Sequence, residues 1–199
     1  MQKLNIKKYI SDGLLIVFSV LFALFINKIA ERMDMQTRKE TALTSIRSEL
    51  YRNSGVIAMW NEKHGAIQNR LDSLITGKND SLMKVMLQND YLDLGILTNQ
   101  QSLIEAVLSD TAWESAKAAG IVSQFDFDTT QKLTNVYKMQ TVLMDDTVRS
   151  ILDLYFSRES HKMDDMDATL FQFHLRFHEL VGQEILMKQL YDEAITAID

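Results

Sequence analysis

The chain has 199 residues, 46% of them apolar and 24% charged, enough apolar content for a buried core and too much for a disordered segment. It contains no proline and no cysteine, which favours long unbroken helices and excludes disulfides, thiolate metal sites and cysteine nucleophiles. The formal net charge is −6, and the one compact basic cluster, Lys3, Lys7 and Lys8, lies at the N-terminus, so nucleic acid is not an expected partner.

In chain order, residues 1–8 read as a basic tail and residues 9–30 as a transmembrane helix. The run 14–26 is apolar except for Ser19 and would be about 20 Å long as a helix. Extended to 9–30 it reaches the ~30 Å of a hydrocarbon core. A cleaved signal peptide is the main competitor, but residues 25–31 offer no pair of small residues at cleavage spacing. Lys and Arg are nearly balanced across the span. The short basic tail favours a cytoplasmic N-terminus and an extracytoplasmic domain.

Asp12 falls about one turn inside the span, where a carboxylate is costly. Two readings stand: pairing with Lys8 four residues earlier, or contact with another membrane subunit or an ion.

Residues 31–199 read as an antiparallel helical bundle with a long first helix, making the fold class all-α. Leu43, Ile46, Leu50, Ile57, Trp60, Ile67, Leu71 and Leu74 recur at alternating steps of three and four, with Asn53 and His64 filling the same seam. Leu43 and Ile46, nearest the membrane, are expected to remain partly available to a partner. Gly55 and Gly65 weaken the expectation of one continuous helix. Residues 76–80 read as a turn. A short helix over 81–89 and an irregular stretch over 91–99 follow, then a helix over 100–108. Thr111 and Glu114 stand at capping-box spacing before a helix that Gly120 ends. Asp128 and Gln131 form a second cap, opening a long helix to about residue 157. Its buried face is Leu133, Val136, Tyr137, Gln140, Leu143, Val148, Ile151 and Tyr155. A charged link over 158–167 precedes the last helix, with Leu170, Phe173, Phe177, Leu180, Leu186, Leu190 and Ile195 facing the core.

Chemistry-bearing groupings are sparse. His174 and His178 share a helix face and Glu179 follows, but the zincin motif needs histidine where Gly182 stands. Two histidines are too few for a closed zinc site. The acidic pairs Asp145–Asp146 and Asp164–Asp165 read as solvated surface. No phosphate-binding loop, nucleophile elbow or dinucleotide fingerprint occurs. The expectation is therefore no enzyme, no metal and no cofactor. Trp113 reads as a core or interface residue within its capped helix, and it is the best single candidate for a binding anchor, since tryptophan is enriched at interface hot spots.

Residues 12–31 resemble the opening of an uncharacterised family of bacterial single-pass membrane proteins. That opening is an acidic residue, an apolar run, then Ala-Leu-x-Ile-Asn, here Asp12 and Ala23-Leu24-Phe25-Ile26-Asn27. Glu49-Leu50 with Asn53 resembles the Glu-Leu-x-x-Asn that follows in the family, and Trp113-Glu114 with Ala116-Lys117 resembles a Trp-Glu-x-Ala-Lys element. Lys28-Ile29 replaces the usual Asn-Trp. The resemblance covers about a quarter of the chain and implies topology, not activity.

The leading functional expectation is a membrane-anchored interaction protein. It would be an accessory or adaptor subunit at a bacterial inner membrane, with Asp12, Leu43, Ile46 and Trp113 as candidate partner residues. The partner would be another membrane protein or a second copy. The alternatives are the small subunit of an ion-driven motor, with Asp12 as the ion-linked carboxylate, and a metal-dependent enzyme.

Overall fold

The computed structural model describes residues 6–198, with side chains from residue 12 onward. All regular structure among the described residues is helical. Lys3 lies outside the described residues, as do the side chains of Lys7 and Lys8, so the Asp12–Lys8 pairing falls outside as well.

Helix α1, Ile6–Ile75, is a single helix of 70 residues, about 105 Å long. It includes the apolar segment, and Gly55 and Gly65 do not interrupt it. Every residue from 12 to 38 is exposed. The apolar stretch is therefore a bare rod, long and apolar enough to cross a membrane. Residues 31–38 are also exposed but mostly polar, and they separate that stretch from the bundle by about 12 Å.

From Ile46 onward α1 turns core-forming. Ile46, Leu50, Ile57, Trp60, Ile67, Leu71 and Leu74 are all buried, as are the seam's polar members Asn53 and His64. The surface they meet is α6, Met166–Ile198. The two run antiparallel: Arg47 donates to the Ile198 carbonyl, Asn61 to the Val181 carbonyl, and Gln68 lies beside His178. Leu170, Phe173, Phe177 and Leu180 face the core as the spacing predicts. Leu186 does not. It is 44% exposed, and Met187 and Tyr191 take the inward positions instead.

The third rod is α4, Phe127–Val142, continued through a π-helical stretch, Leu143–Val148, into α5, Arg149–Phe156. The π stretch accommodates a five-residue step between buried Leu143 and Val148 in a pattern that otherwise moves by three and four. The expected cap at Asp128 is misplaced by two residues. Asp126 caps α4, accepting from the Thr129 N–H at 2.9 Å and its hydroxyl at 2.8 Å. Those bonds hold the Asp126 carboxyl below its ordinary pKa.

The smaller elements lie across this three-rod core. Helix α2, Asp80–Met86, follows a turn in which Gly77 has φ +65°. Helix α3, Thr111–Ala118, ends before Gly120, which supplies φ +69°.

The expected helix over 100–108 does not form; this segment is an extended strap. Asn99 and Gln100 both have positive φ, which breaks the preceding 3-10 turn and turns the chain across α1. Side chains of α1 then satisfy the strap's carbonyls in place of a helical ladder. Lys63 donates to the Ser102 carbonyl and His64 meets that of Leu103 at 3.1 Å. Leu103 and Leu108 point inward while Val107 is 79% exposed.

The seam makes a direct prediction. Leu71→Ala should destabilise the protein by about 2–5 kcal/mol, because it opens a cavity between α1 and α6. Leu186→Ala should stay within about 0.5 kcal/mol, as a surface change. Urea unfolding of the full chain in mild detergent distinguishes them, and equal losses would contradict this packing.

Candidate functional site

The densest polar construction in the molecule joins α1, α3 and α4. Leu50 faces the core, which turns its neighbour Glu49 toward the start of α3. Glu49 is only 1% exposed. One carboxylate oxygen accepts from the Ser109 hydroxyl at 2.7 Å and the Ala112 N–H at 2.9 Å. The other accepts from the Tyr137 hydroxyl at 2.8 Å and the Trp113 N–H at 3.4 Å. Ala112 and Trp113 carry first-turn amides that an isolated helix leaves without acceptors. A carboxylate there also meets the favourable end of the helix dipole.

Glu49 thus caps α3 from another helix, and the expected capping box does not form. Thr111 is already helical, Asp110 makes no side-chain cap bond, and Glu114 pairs with Lys117 at 2.6 Å. One turn further along α1, Asn53 holds both backbone polar groups of Ser109, accepting from its N–H at 3.0 Å and donating to its carbonyl at 2.6 Å. Asn53 also donates to the Gln140 oxygen at 3.2 Å, which accepts from the Tyr191 hydroxyl at 2.9 Å. The Glu-Leu-x-x-Asn and Trp-Glu segments of the sequence are therefore clamped together.

Above this clamp, on the side of the apolar segment, lies an open groove of about 910 Å³ between α1 and α3. Its α1 wall includes Thr37, Thr41, Thr44 and Ser48, and its α3 wall includes Ser115 and Ala116. Arg38 and Arg52 line it as well, and Glu49 is part of its floor. Small side chains on both walls leave room for a helix to approach closely.

The four candidate partner residues separate. Asp12 is exposed on the bare part of α1. Leu43 is half-buried against the core. Ile46 is completely buried by the chain itself, so it is not left open for a partner. Trp113 is 4% exposed and stacks on Tyr137, ring centroids 5.5 Å apart and 2° from parallel. Its surface is consumed by the clamp, because Glu49 pulls the first turn of α3 inward. The indole is a core residue and not an exposed anchor.

The histidines also have structural partners. His174 Nδ1 lies 2.9 Å from an Asp72 oxygen, and His178 Nδ1 is 3.0 Å from the Gln68 amide nitrogen. No group of three or more His, Asp or Glu side chains poised for a metal occurs among the described residues. His64 is fully buried, its Nδ1 2.5 Å from a Glu184 oxygen and its Nε2 facing the Leu103 carbonyl. The ring thereby ties α6 to α1 and to the strap. Glu184 carried no sequence signal beyond a polar residue in an apolar helix. Glu49 stood in a motif, but its donors lie across the chain.

No protein-family model, curated protein or solved structure matches the chain.

Two predictions follow from the clamp. Glu49→Ala should lower stability by about 3–5 kcal/mol, since it strands the Tyr137 hydroxyl and two backbone donors in a buried site. Glu49→Gln should lie between Ala and wild type; losses below about 1 kcal/mol for Ala would deny the clamp its role.

The second concerns alkaline pH. Burial, then the bond to Glu49 and its charge, push the Tyr137 hydroxyl above its ordinary pKa of 10.0. Burial, with a contribution from the Glu49 charge, raises Tyr191 likewise. Both stay protonated in the fold while the unfolded chain ionises, so their stabilising contribution is complete below pH 10 and declines above it. The urea midpoint should fall between about pH 9.5 and 11, and Tyr137→Phe with Tyr191→Phe should flatten that slope.

Proposed function

We propose that this protein is a membrane-anchored helical interaction module, an accessory or adaptor subunit at a bacterial inner membrane. In this reading residues 9–30 span the bilayer, the N-terminus is cytoplasmic, and residues 31–199 form an extracytoplasmic bundle. The observation that carries the reading is the continuity of α1 through apolar segment, polar stalk and bundle. A rod without a hinge holds the groove at fixed height and rotation above the bilayer. That is the arrangement a docking surface for another membrane-embedded helix requires.

The use made of the buried polar groups supports it. Glu49, Asn53, His64, Gln140 and Glu184 all bond to other parts of the fold, joining helices and loop. These bonds give them structural roles, Glu49 and Asn53 beside the groove and His64 and Glu184 further along the bundle.

The test uses the full chain in native membranes, solubilised in mild detergent. The protein should run as a complex larger than its monomer. Thr41→Trp, which fills the groove from an exposed position, should reduce that complex at least about fivefold, a change of roughly 1 kcal/mol. A cytoplasm-active reporter fused at the C-terminus should stay silent. A monomer under every condition would overturn the interaction reading, and a strongly active reporter would overturn the orientation.

A further inference from the structure

We propose that the partner in the groove is a second copy of this chain, paired in parallel along one continuous face of α1 that begins in the membrane span. This rests on the reading that residues 12–30 cross the bilayer.

The face is defined by geometry. Among residues 12–30 the side chains that are small or polar are Asp12, Ser19, Ala23, Asn27, Lys28 and Ala30, besides Gly13. At 3.6 residues per turn, all of these but Lys28 and Gly13 fall within an arc of about 80°, which they share with Ile16. The same face continues beyond the span through Asp34, Thr37, Thr41, Thr44 and Ser48 within an arc of about 100° in all. The last four of these line the groove wall. Apart from Gly13 and Lys28, the rest of the span's circumference is Leu, Ile, Val and Phe, which suits lipid. The groove is a separate observation that meets this face at its upper end, where α3 supplies a second wall of small side chains.

Lipid is a poor neighbour for this face. The Asn27 amide donates one proton to Glu31 at 2.7 Å, but an amide has a second donor and a two-lone-pair oxygen. Within or at the edge of a bilayer those groups seek a protein partner. Burial against protein strands little elsewhere on the face. Ser19, Thr37, Thr41 and Thr44 each donate to the carbonyl four residues back, so their protons are already placed. Small side chains along the face permit the close backbone approach that drives helix pairing in membranes. The chain itself leaves all of it uncovered.

The membrane selects the occupant. Two copies of a single-pass protein enter at the same depth and in the same direction, so each residue of the face meets its own counterpart. Nearly every residue tolerates that. Asn27 against Asn27 pairs donor with acceptor and fixes register, the use of a single polar seam residue in coiled coils. Alanine, serine and threonine meet as small against small. The carboxylates are the exceptions: Asp34 is paired with Arg38 at 2.9 Å, and Asp12, about one turn inside the span, is near enough to its end to reach the headgroups. Above the bilayer the second α1 continues into the groove between α1 and α3, and reciprocally, giving an isologous two-fold interface.

The absence of cysteine makes the test clean, because each introduced cysteine is the only thiol. Ala23→Cys, Ala30→Cys and Thr41→Cys lie on the face; Leu21→Cys and Met35→Cys lie on the opposite side. Each full-length variant is oxidised mildly in its native membrane. On-face variants should form disulfide-linked dimers at least about fivefold more than off-face ones, and Asn27→Leu should reduce cross-linking at residue 23 by about fivefold. Equal cross-linking on both faces, or none on either, would overturn the proposal. Cross-linking of the on-face thiols to a different membrane protein would overturn the second copy while leaving the interaction reading intact. A protein monomeric in both this experiment and the detergent test would overturn both.

Discussion

One helix carries two kinds of surface. The first part of α1 is bare apolar side chain on nearly every face, and from Ile46 the same helix buries a single seam against α6. No hinge separates the two regimes. The bundle is therefore built outward from a rod whose direction is set before the bundle begins, and every later element packs on what α1 presents. The eight exposed residues between them, numbers 31–38, are mostly polar and match neither the apolar stretch nor the core.

What α1 presents is not uniformly apolar. Its seam carries Asn53 and His64, and Glu49 lies beside it. In a low-dielectric interior each must find partners or impose a large penalty. Each finds them on a different element. Glu49 and Asn53 fix α3 and α4; His64 fixes α6 and the strap. An apolar seam alone would accept several rotations and slides of the packed helices. These polar groups accept few, which is how buried polar residues specify register. The groove inherits that precision, because one of its walls is α3, and α3 is held by the Glu49 carboxylate.

The strap over residues 99–110 shows the same logic acting on backbone. A helix there would satisfy its own carbonyls. Instead Asn99 and Gln100 turn the chain, and Lys63 and His64 reach across from α1 to serve the carbonyls of Ser102 and Leu103. The segment lies extended over α1 and seals the core with Leu103 and Leu108.

Much of this was legible in the sequence. The apolar span, the seam of α1, the turn at Gly77, the end of α3 at Gly120 and the inward face of α4 and α5 all depend on periodicity or on a single backbone preference. Such signals are local and survive without knowledge of partners. Even the π stretch left a trace, the five-residue step from Leu143 to Val148. The trans cap of α3, the burial of Ile46 and the extended strap were not legible. Each depends on a residue far away in the chain: Glu49 meets Ala112 across 63 positions and His64 meets Glu184 across 120. Capping-box spacing at Thr111 and Glu114 was present, but a distant carboxylate reached the same amides with a favourable charge. The sequence by itself determined where helices run and which stripe of each is apolar, since these follow from side-chain spacing along one backbone. Only the tertiary structure decided which polar group satisfies which, because that choice is made by proximity after the helices have packed.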